Sequence, residues 1–206
     1  MFKRPWEVFF EEKVRKIFTD KKSVIDIGGG LRVMKEKNNR YDPSHEWMRP
    51  YLRNIEYRVM DPVPDYHPDI VGDIHALPFG DNSQDAFFCL AVLEHVENPI
   101  LAGKEMYRTL KQGGYCLAYV PFLYYYHAER GYYGDFWRYT PDSLRYIFRD
   151  FSTVELCSVR GAVETLIRLS PLGRAKVFRD IGYIIDRLTG KLHSKQVSGY
   201  YVFLIK

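Results

Sequence analysis

The chain has 206 residues, of which 46% are hydrophobic and 27% charged, and carries a net charge of +4. These are the proportions of a soluble globular protein with one full-sized core, and no apolar run approaches the roughly 20 residues of a membrane span. Met1-Phe2-Lys3-Arg4-Pro5 lacks the apolar stretch and small-residue cleavage site of a signal peptide, so a cytoplasmic protein is expected. The charge is too mild to point to nucleic acid, and no such partner is expected. Cys89, Cys116 and Cys157 sit in apolar, strand-like contexts without CxxC spacing, which predicts buried free thiols rather than a disulfide or a metal site.

In chain order, Trp6, Phe10, Val14 and Ile17 fall at helical spacing and predict an amphipathic helix within an N-terminal segment 1–20. Val24–Ile27 reads as a buried strand that runs straight into Gly28-Gly29-Gly30, where the lack of a Cβ permits a tight turn or a close approach to a ligand. Residues 31–53 are polar and irregular, with a short helix expected over Glu46–Leu52; their Tyr41, His45 and Trp47 are candidates to cover a site. Strands follow at Ile55–Met60, Asp69–Val71 and Asp85–Leu90, then a helix over Ile100–Leu110 closed by Lys111-Gln112-Gly113-Gly114, a basic residue and glycine suited to a helix C-terminus. Tyr115–Val120 is a fifth strand ended by Pro121, Thr140-Pro141-Asp142-Ser143 opens a helix to about Phe148, and Thr153–Val159 and Tyr200–Ile205 complete seven strands. Such alternation predicts one α/β domain, 1–206, Rossmann-like, with a mostly parallel sheet covered on both faces. Its functional edge lies at the carboxyl ends of the strands.

Two carboxylates stand at that edge. Asp61, after the second strand, suits the acceptor-only recognition of a ribose diol, or else caps a turn before proline. Asp73, with the backbone of Ile74, suits an adenine edge, or else is an ordinary loop residue.

The signatures Asp26-Ile27-Gly28-Gly29-Gly30, Asp61, Asp73 through Leu77-Pro78-Phe79, Leu93-Glu94-His95-Val96 and Leu110-Lys111-Gln112-Gly113-Gly114 occur in order. With Pro121-Phe122, His127 and Asp135–Thr140, they resemble the class I S-adenosylmethionine-dependent methyltransferases, and within them small methyltransferase-domain proteins similar to those associated with surface-glycan biosynthesis. The resemblance implies S-adenosylmethionine as cofactor. Gly28, Gly29 and Gly30 would line its methionine end with Asp26 orienting the loop, Asp61 would hold the ribose, Asp73 and Ile74 would meet the adenine, and Leu90 and Ala91 would pass beneath it near the sulfonium. The glycine usual two places beyond Gly30 is Arg32 here, and about 30 residues separate the glycines from Asp61 against roughly 20 in dinucleotide folds.

The stretch 121–140 is rich in aromatics and reads as a substrate lid after the fifth strand, with part of its rings in the core. Tyr126, Asp135, Trp137 and Arg138 are the candidate acceptor residues; Arg138 either clamps an anionic acceptor or pairs with Asp135. Transfer to a hydroxyl requires a base, for which His127 and His95 are the candidates, His127 on the acceptor side. The expected reaction is methyl transfer to a small polar acceptor, a hydroxyl of a sugar or glycan precursor. The alternative is a non-catalytic module of the same fold that binds a partner; a nicotinamide enzyme is disfavoured because no hydride-site signature accompanies the glycines. Residues 160–198, a basic helical insertion, hold eight Lys/Arg against three Asp/Glu, a local excess of five. Within it Arg174–Leu188 carries an apolar stripe of Val177, Ile181, Ile184, Ile185 and Leu188. It is a helix packed on the sheet or in a homodimer, or one lying on anionic lipid as a peripheral membrane contact.

Overall fold

A computed structural model describes residues 3–33 and 41–206. The part of the 31–53 segment at 34–40, and residues 1 and 2 of the N-terminal segment, lie outside the described residues.

Seven strands form one sheet in the order β3-β2-β1-β4-β5-β7-β6. They are β1 (Ser23–Ile27), β2 (Glu56–Asp61), β3 (Ile70–Val71), β4 (Gln84–Leu90), β5 (Leu110–Pro121), β6 (Thr153–Val159) and β7 (Gly199–Ile205). All neighbours run parallel except β7, which is antiparallel to both β5 and β6. Among the described residues, helices α1 (Pro5–Asp20), α2 (Pro99–Thr109), α3 (Pro141–Ile147), α4 (Ala162–Leu169) and α5 (Lys176–Leu188) complete the regular structure, joined by short 3₁₀ turns.

Local chemistry sets the helix starts. Each of α1, α2 and α3 begins with proline, whose missing N–H would have no helical partner there. The Asn98 side chain accepts from the Leu101 N–H at 3.1 Å, and Thr140 and Ser143 cap each other reciprocally. Alternate strand residues feed two hydrophobic layers. Ile25, Ile27, Phe87, Cys89 and Cys116 pack on the α2–α3 side, and Val24, Ala86, Phe88, Leu117 and Phe203 pack beneath α1 with Val14, Ile17 and Phe18. Cys89 and Cys116 are buried free thiols, and burial pushes the Cys116 thiol up to about 12. Cys157 is a free thiol too but only half-buried.

Two expectations need correction. Lys111–Gly114 does not close α2, which ends at Thr109; it bulges from the β4–β5 ladder, where Leu110 pairs with Gln84 and Tyr115 with Ala86. Gly113 takes a left-handed φ of 71°, and the Lys111 ammonium reaches the Asp85 carboxylate at 2.6 Å. A basic residue beside glycine suits either ending, and strand pairing selected the bulge. The helix expected over Glu46–Leu52 is two 3₁₀ turns, Pro43–Met48 and Tyr51–Asn54, broken at Pro50. The basic insertion holds two helices, α4 as well as α5, and the aliphatic stripe of α5 faces away from the sheet: Ile184 is 54% and Leu188 80% exposed.

Candidate active site

The sheet order reverses between β1 and β4, which opens a crevice at their carboxyl ends, where open α/β sheets bind ligands. At the end of β1 the buried Asp26 carboxylate accepts from Gly30 N–H (3.1 Å), Leu31 N–H (3.0 Å) and the Tyr57 hydroxyl (2.5 Å). It thereby fixes the glycine turn from beneath. Burial raises its pKa to about 7 against the pull of those three donors. Gly28 and Gly29 have φ of 76° and 61°, the left-handed region where other residues are strained. A Cβ on Gly28 would lie 2.6 Å from the Val92 side chain, and one on Gly30 2.6 Å from the Leu90 carbonyl oxygen. The glycines therefore serve the packing of the β1 turn on the β4 end as much as a ligand. Arg32, standing where a glycine was expected, adopts φ 52°, so it keeps the conformation glycine would supply.

Three clefts meet at this edge, and Ala91, itself at φ 57°, lines all of them. The first, of about 480 Å³, is walled by Gly28, Asp61, Asp73, Ile74, His95 and Tyr133. The second, of about 210 Å³, holds Gly28, Gly30, Arg32, His45, Leu90 and Tyr119. The third, of about 850 Å³, is lined by Trp6, Phe10, Glu94, Tyr119, Tyr124 and His127 among others. The expected cofactor residues Gly28, Gly30, Asp61, Asp73, Ile74, Leu90 and Ala91 thus fall on the first two clefts; Asp26 lies under them and Gly29 against Val59. Asp61 is 7% exposed, and its carboxylate also accepts from the Val63 N–H at 2.9 Å, so it caps the turn before proline while still lining the cleft. Asp73 holds the N–H and the ring Nδ1 of His75.

The aromatic segment between β5 and α3 is tied to the turn after β4. Phe136 N–H donates to the Glu94 carbonyl (2.7 Å), Trp137 Nε1 to that of Val96 (2.9 Å) and the Tyr139 hydroxyl to that of Leu93 (2.6 Å), while His95 Nδ1 meets the Gly134 carbonyl at 2.6 Å. Tyr132 stacks on Tyr66 across the first cleft, with ring centroids 5.3 Å apart. The four residues expected to meet the acceptor are not brought together to do so. Tyr126 points outward at 77% exposure, and the polar atom of Trp137 is spent on Val96. Asp135 and Arg138 pair with each other at 2.5 and 2.8 Å, and Arg138 also donates to the Tyr125 carbonyl. Arg138 holds the Asp135 carboxyl down at about 2. The pair braces the loop, and Asp135 accepts from the His127 N–H at 2.8 Å.

The two histidines stand on different sides. His95 lines the first cleft and His127 the third, with their rings 4.8 Å apart edge to face. Between them lies Glu94, 1% exposed, with one oxygen 3.8 Å from His127 Nε2 and the other, Oε2, without a hydrogen-bond partner. The Glu94 carboxylate raises the pKa of His127 above that of an ordinary imidazole, against the opposing effect of partial burial. Among the described residues, Glu94, His95 and His127 form a cluster whose ligand atoms fall within 4.8 Å of one another, close enough to hold a metal ion. In the sequence Glu94 stands out only as part of the Leu93-Glu94-His95-Val96 signature. Its burial comes from the lid folding over it, which no local pattern announces. Trp6 and Phe10 likewise read as core, yet this end of α1 walls the third cleft.

Residues 41–118 match the family model of a methyltransferase domain. A SAM-dependent methyltransferase from Archaeoglobus fulgidus superposes with a TM-score of 0.61, at 16% identity over 97% of this chain and 94% of that one. A methyltransferase in complex with the Haloferax volcanii Trm112 methyltransferase activator gives 0.55, at 17% identity over 93% and 87%. A SAM-dependent methyltransferase from Thermotoga maritima gives 0.53, at 14% identity over 97% and 96%. No curated protein sequence matches the chain. The neighbours share the fold, and the methyltransferase-domain match covers 78 of the 206 residues, from the turns before β2 to the middle of β5.

Proposed function

We propose that the chain transfers a methyl group to an oxygen of a small polar acceptor, a hydroxyl of a sugar or glycan precursor, seated in the third cleft. One observation carries this reading: His127 Nε2 and the buried Glu94 carboxylate face each other at 3.8 Å on the wall of that cleft, where an acceptor hydroxyl needs a base. Aromatic rings from Trp6, Phe10, Tyr119 and Tyr124 line the same space and suit the apolar faces of a sugar.

The first two clefts fit the cofactor, since a nearly buried carboxylate, Asp61, stands at the end of β2 beside a turn free of side chains at Gly28. In this reading Asp61 accepts from the ribose hydroxyls, Asp73 and the Ile74 backbone address the adenine edge, and Gly28, Gly30, Leu90 and Ala91 border the methionine end. The bound cofactor supplies an electrophilic methyl on a sulfonium. The chain supplies position, holding the acceptor oxygen beside Ala91 at the meeting of the clefts. His127 Nε2 takes the hydroxyl proton, and Glu94 stabilises the imidazolium that results. His95, fixed through Nδ1 to Gly134, orients the turn between the clefts.

A second reading is favoured by the orphaned Glu94 Oε2. His95 and His127 both turn Nδ1 toward backbone carbonyls, of Gly134 and Tyr125, which leaves each Nε2 lone pair available as in metal-ligating histidines. A divalent cation held by Glu94, His95 and His127 would acidify the acceptor hydroxyl in place of the base.

Titration calorimetry with S-adenosylmethionine and with NAD tests the cofactor. A panel of sugar and nucleotide-sugar acceptors, with S-adenosylhomocysteine release as readout, tests the acceptor, and chelator treatment separates the two readings. Cofactor binding without turnover on any hydroxyl acceptor would favour the non-catalytic module.

A further inference from the structure

Helix α5 is turned inside out. Its buried residues are Gly182 and Asp186, and its aliphatic residues face solvent: Val177 is 58%, Ile181 45%, Ile184 54% and Leu188 80% exposed. The inward face is small and polar for a stated reason. A Cβ at Gly182 would come within 2.9 Å of the Glu164 Cα, so glycine lets α4 and α5 lie close. Asp186 accepts from the Val163 and Glu164 N–H groups at 2.8 and 2.9 Å, which satisfies the first turn of α4. Leu166 and Leu169 on α4, and Leu172 in the turn between the helices, are exposed as well. An aliphatic surface of this extent that folding does not use marks an interaction face.

The charges around it select the partner. All three acidic residues of 160–198 are spent internally: Glu164 on Arg4, Asp180 on Arg4, and Asp186 on the α4 backbone. Arg174, Lys176, Arg187, Lys191 and Lys195 are exposed and pair with no acidic group among the described residues. A two-fold contact with a second copy would bring the same patch, and so the same cations, onto itself. We propose that the α4–α5 face docks on an anionic lipid bilayer, with α5 in the interfacial plane, its aliphatic residues among the acyl chains and its basic residues at the headgroups. This docking does not depend on which acceptor is methylated.

The test is co-sedimentation of the full chain with phosphatidylcholine vesicles, with and without phosphatidylglycerol, at low and high salt. The protein pellets with the anionic vesicles at low salt and is released at high salt, because exposed charges are screened within roughly 10 Å at 0.1 M. Lys176→Glu/Arg187→Glu lowers partitioning by at least roughly tenfold. Ile181→Glu/Ile184→Glu abolishes it, while circular dichroism and S-adenosylhomocysteine binding stay unchanged. Protein that remains in the supernatant under every condition overturns the proposal. So does a dimer, seen by light scattering without lipid, that Ile184→Glu dissolves, since the face then belongs to a second copy.

Discussion

His127 Nε2 looks across 3.8 Å at a Glu94 carboxylate that is 1% exposed. The two residues are 33 positions apart, brought together because β4 and β5 are parallel neighbours whose carboxyl ends lie side by side. In the proposed mechanism the pair sets the pH at which the site can accept a proton. His127 is a base only when neutral, and its pKa is raised by Glu94, so turnover rises with pH and levels off above the ordinary imidazole range. Glu94→Gln removes the charge and moves that inflection to lower pH. The pH–rate profiles of both proteins on one acceptor check this, and an unmoved inflection removes Glu94 from the reaction.

Turnover of His127→Ala falls by roughly 10²-fold or more while S-adenosylmethionine affinity stays within about twofold. Equal turnover of mutant and wild type would return His127 to a loop-bracing role. If a chelator alone stops the wild type and manganese or magnesium restores it, the cation reading replaces the base.

Asp61→Ala weakens S-adenosylhomocysteine binding by about 1.5–3 kcal/mol, the loss of charge-assisted hydrogen bonds. The same change strips the Val63 N–H of its acceptor, so Asp61→Asn, which keeps an acceptor oxygen for that cap, is the companion variant. Calorimetry on both separates the two roles: binding weakened only in the alanine variant would assign Asp61 to the turn.

Gly28→Ala costs stability as well as binding. The left-handed φ of 76° costs a non-glycine residue about 1–2 kcal/mol. The new Cβ, 2.6 Å from Val92, adds overpacking worth about 1–3 kcal/mol. Urea denaturation without ligand measures the sum; an unchanged midpoint would mean that Val92 yields freely.

Asp26 makes stability fall as pH rises. Its folded pKa, about 7, lies above its unfolded value, so the native state holds the proton more tightly. The stability contribution is complete below the ordinary carboxylate range and is lost through about pH 7. In Asp26→Asn this slope disappears between about pH 4 and 8, and the baseline drops by about 1–3 kcal/mol, because an amide donor then faces backbone donors. Melting temperatures across that range, compared between the two proteins, are the measurement.

The strands and the glycine turn were legible because β-branched runs and glycine state their backbone preferences locally. The run Thr153–Val159 coincides end to end with β6. Features decided by tertiary contact were not legible. The stripe of α5 announced an amphipathic helix but not which face is buried; that follows from Gly182 and Asp186 meeting the α4 backbone. Helix α4 is only eight residues long and opens on Gly161 with no side-chain cap hydrogen bond, so it lacks the start signal that marks α2 and α3. The left-handed backbone of Ala91 and Arg32 has no residue-level signature, since neither type prefers that region. Arg138 offered two equal uses in sequence, and only its distance to Asp135 chose one.

The ties between the aromatic segment and Leu93–Val96 make that turn common property of two ligands. His95 and Val96 wall the first cleft, proposed for the cofactor, while the carbonyls of Leu93, Glu94 and Val96 anchor the loop whose His127 lines the third, proposed for the acceptor. A cofactor that stiffens the turn thereby pre-arranges the loop, so the second ligand to bind finds part of its ordering already done. Linkage then requires the help to be mutual: whatever factor the cofactor adds to acceptor affinity, the acceptor adds to cofactor affinity. On the proposed reading, each half-empty form would hold its single ligand less tightly than the ternary complex does.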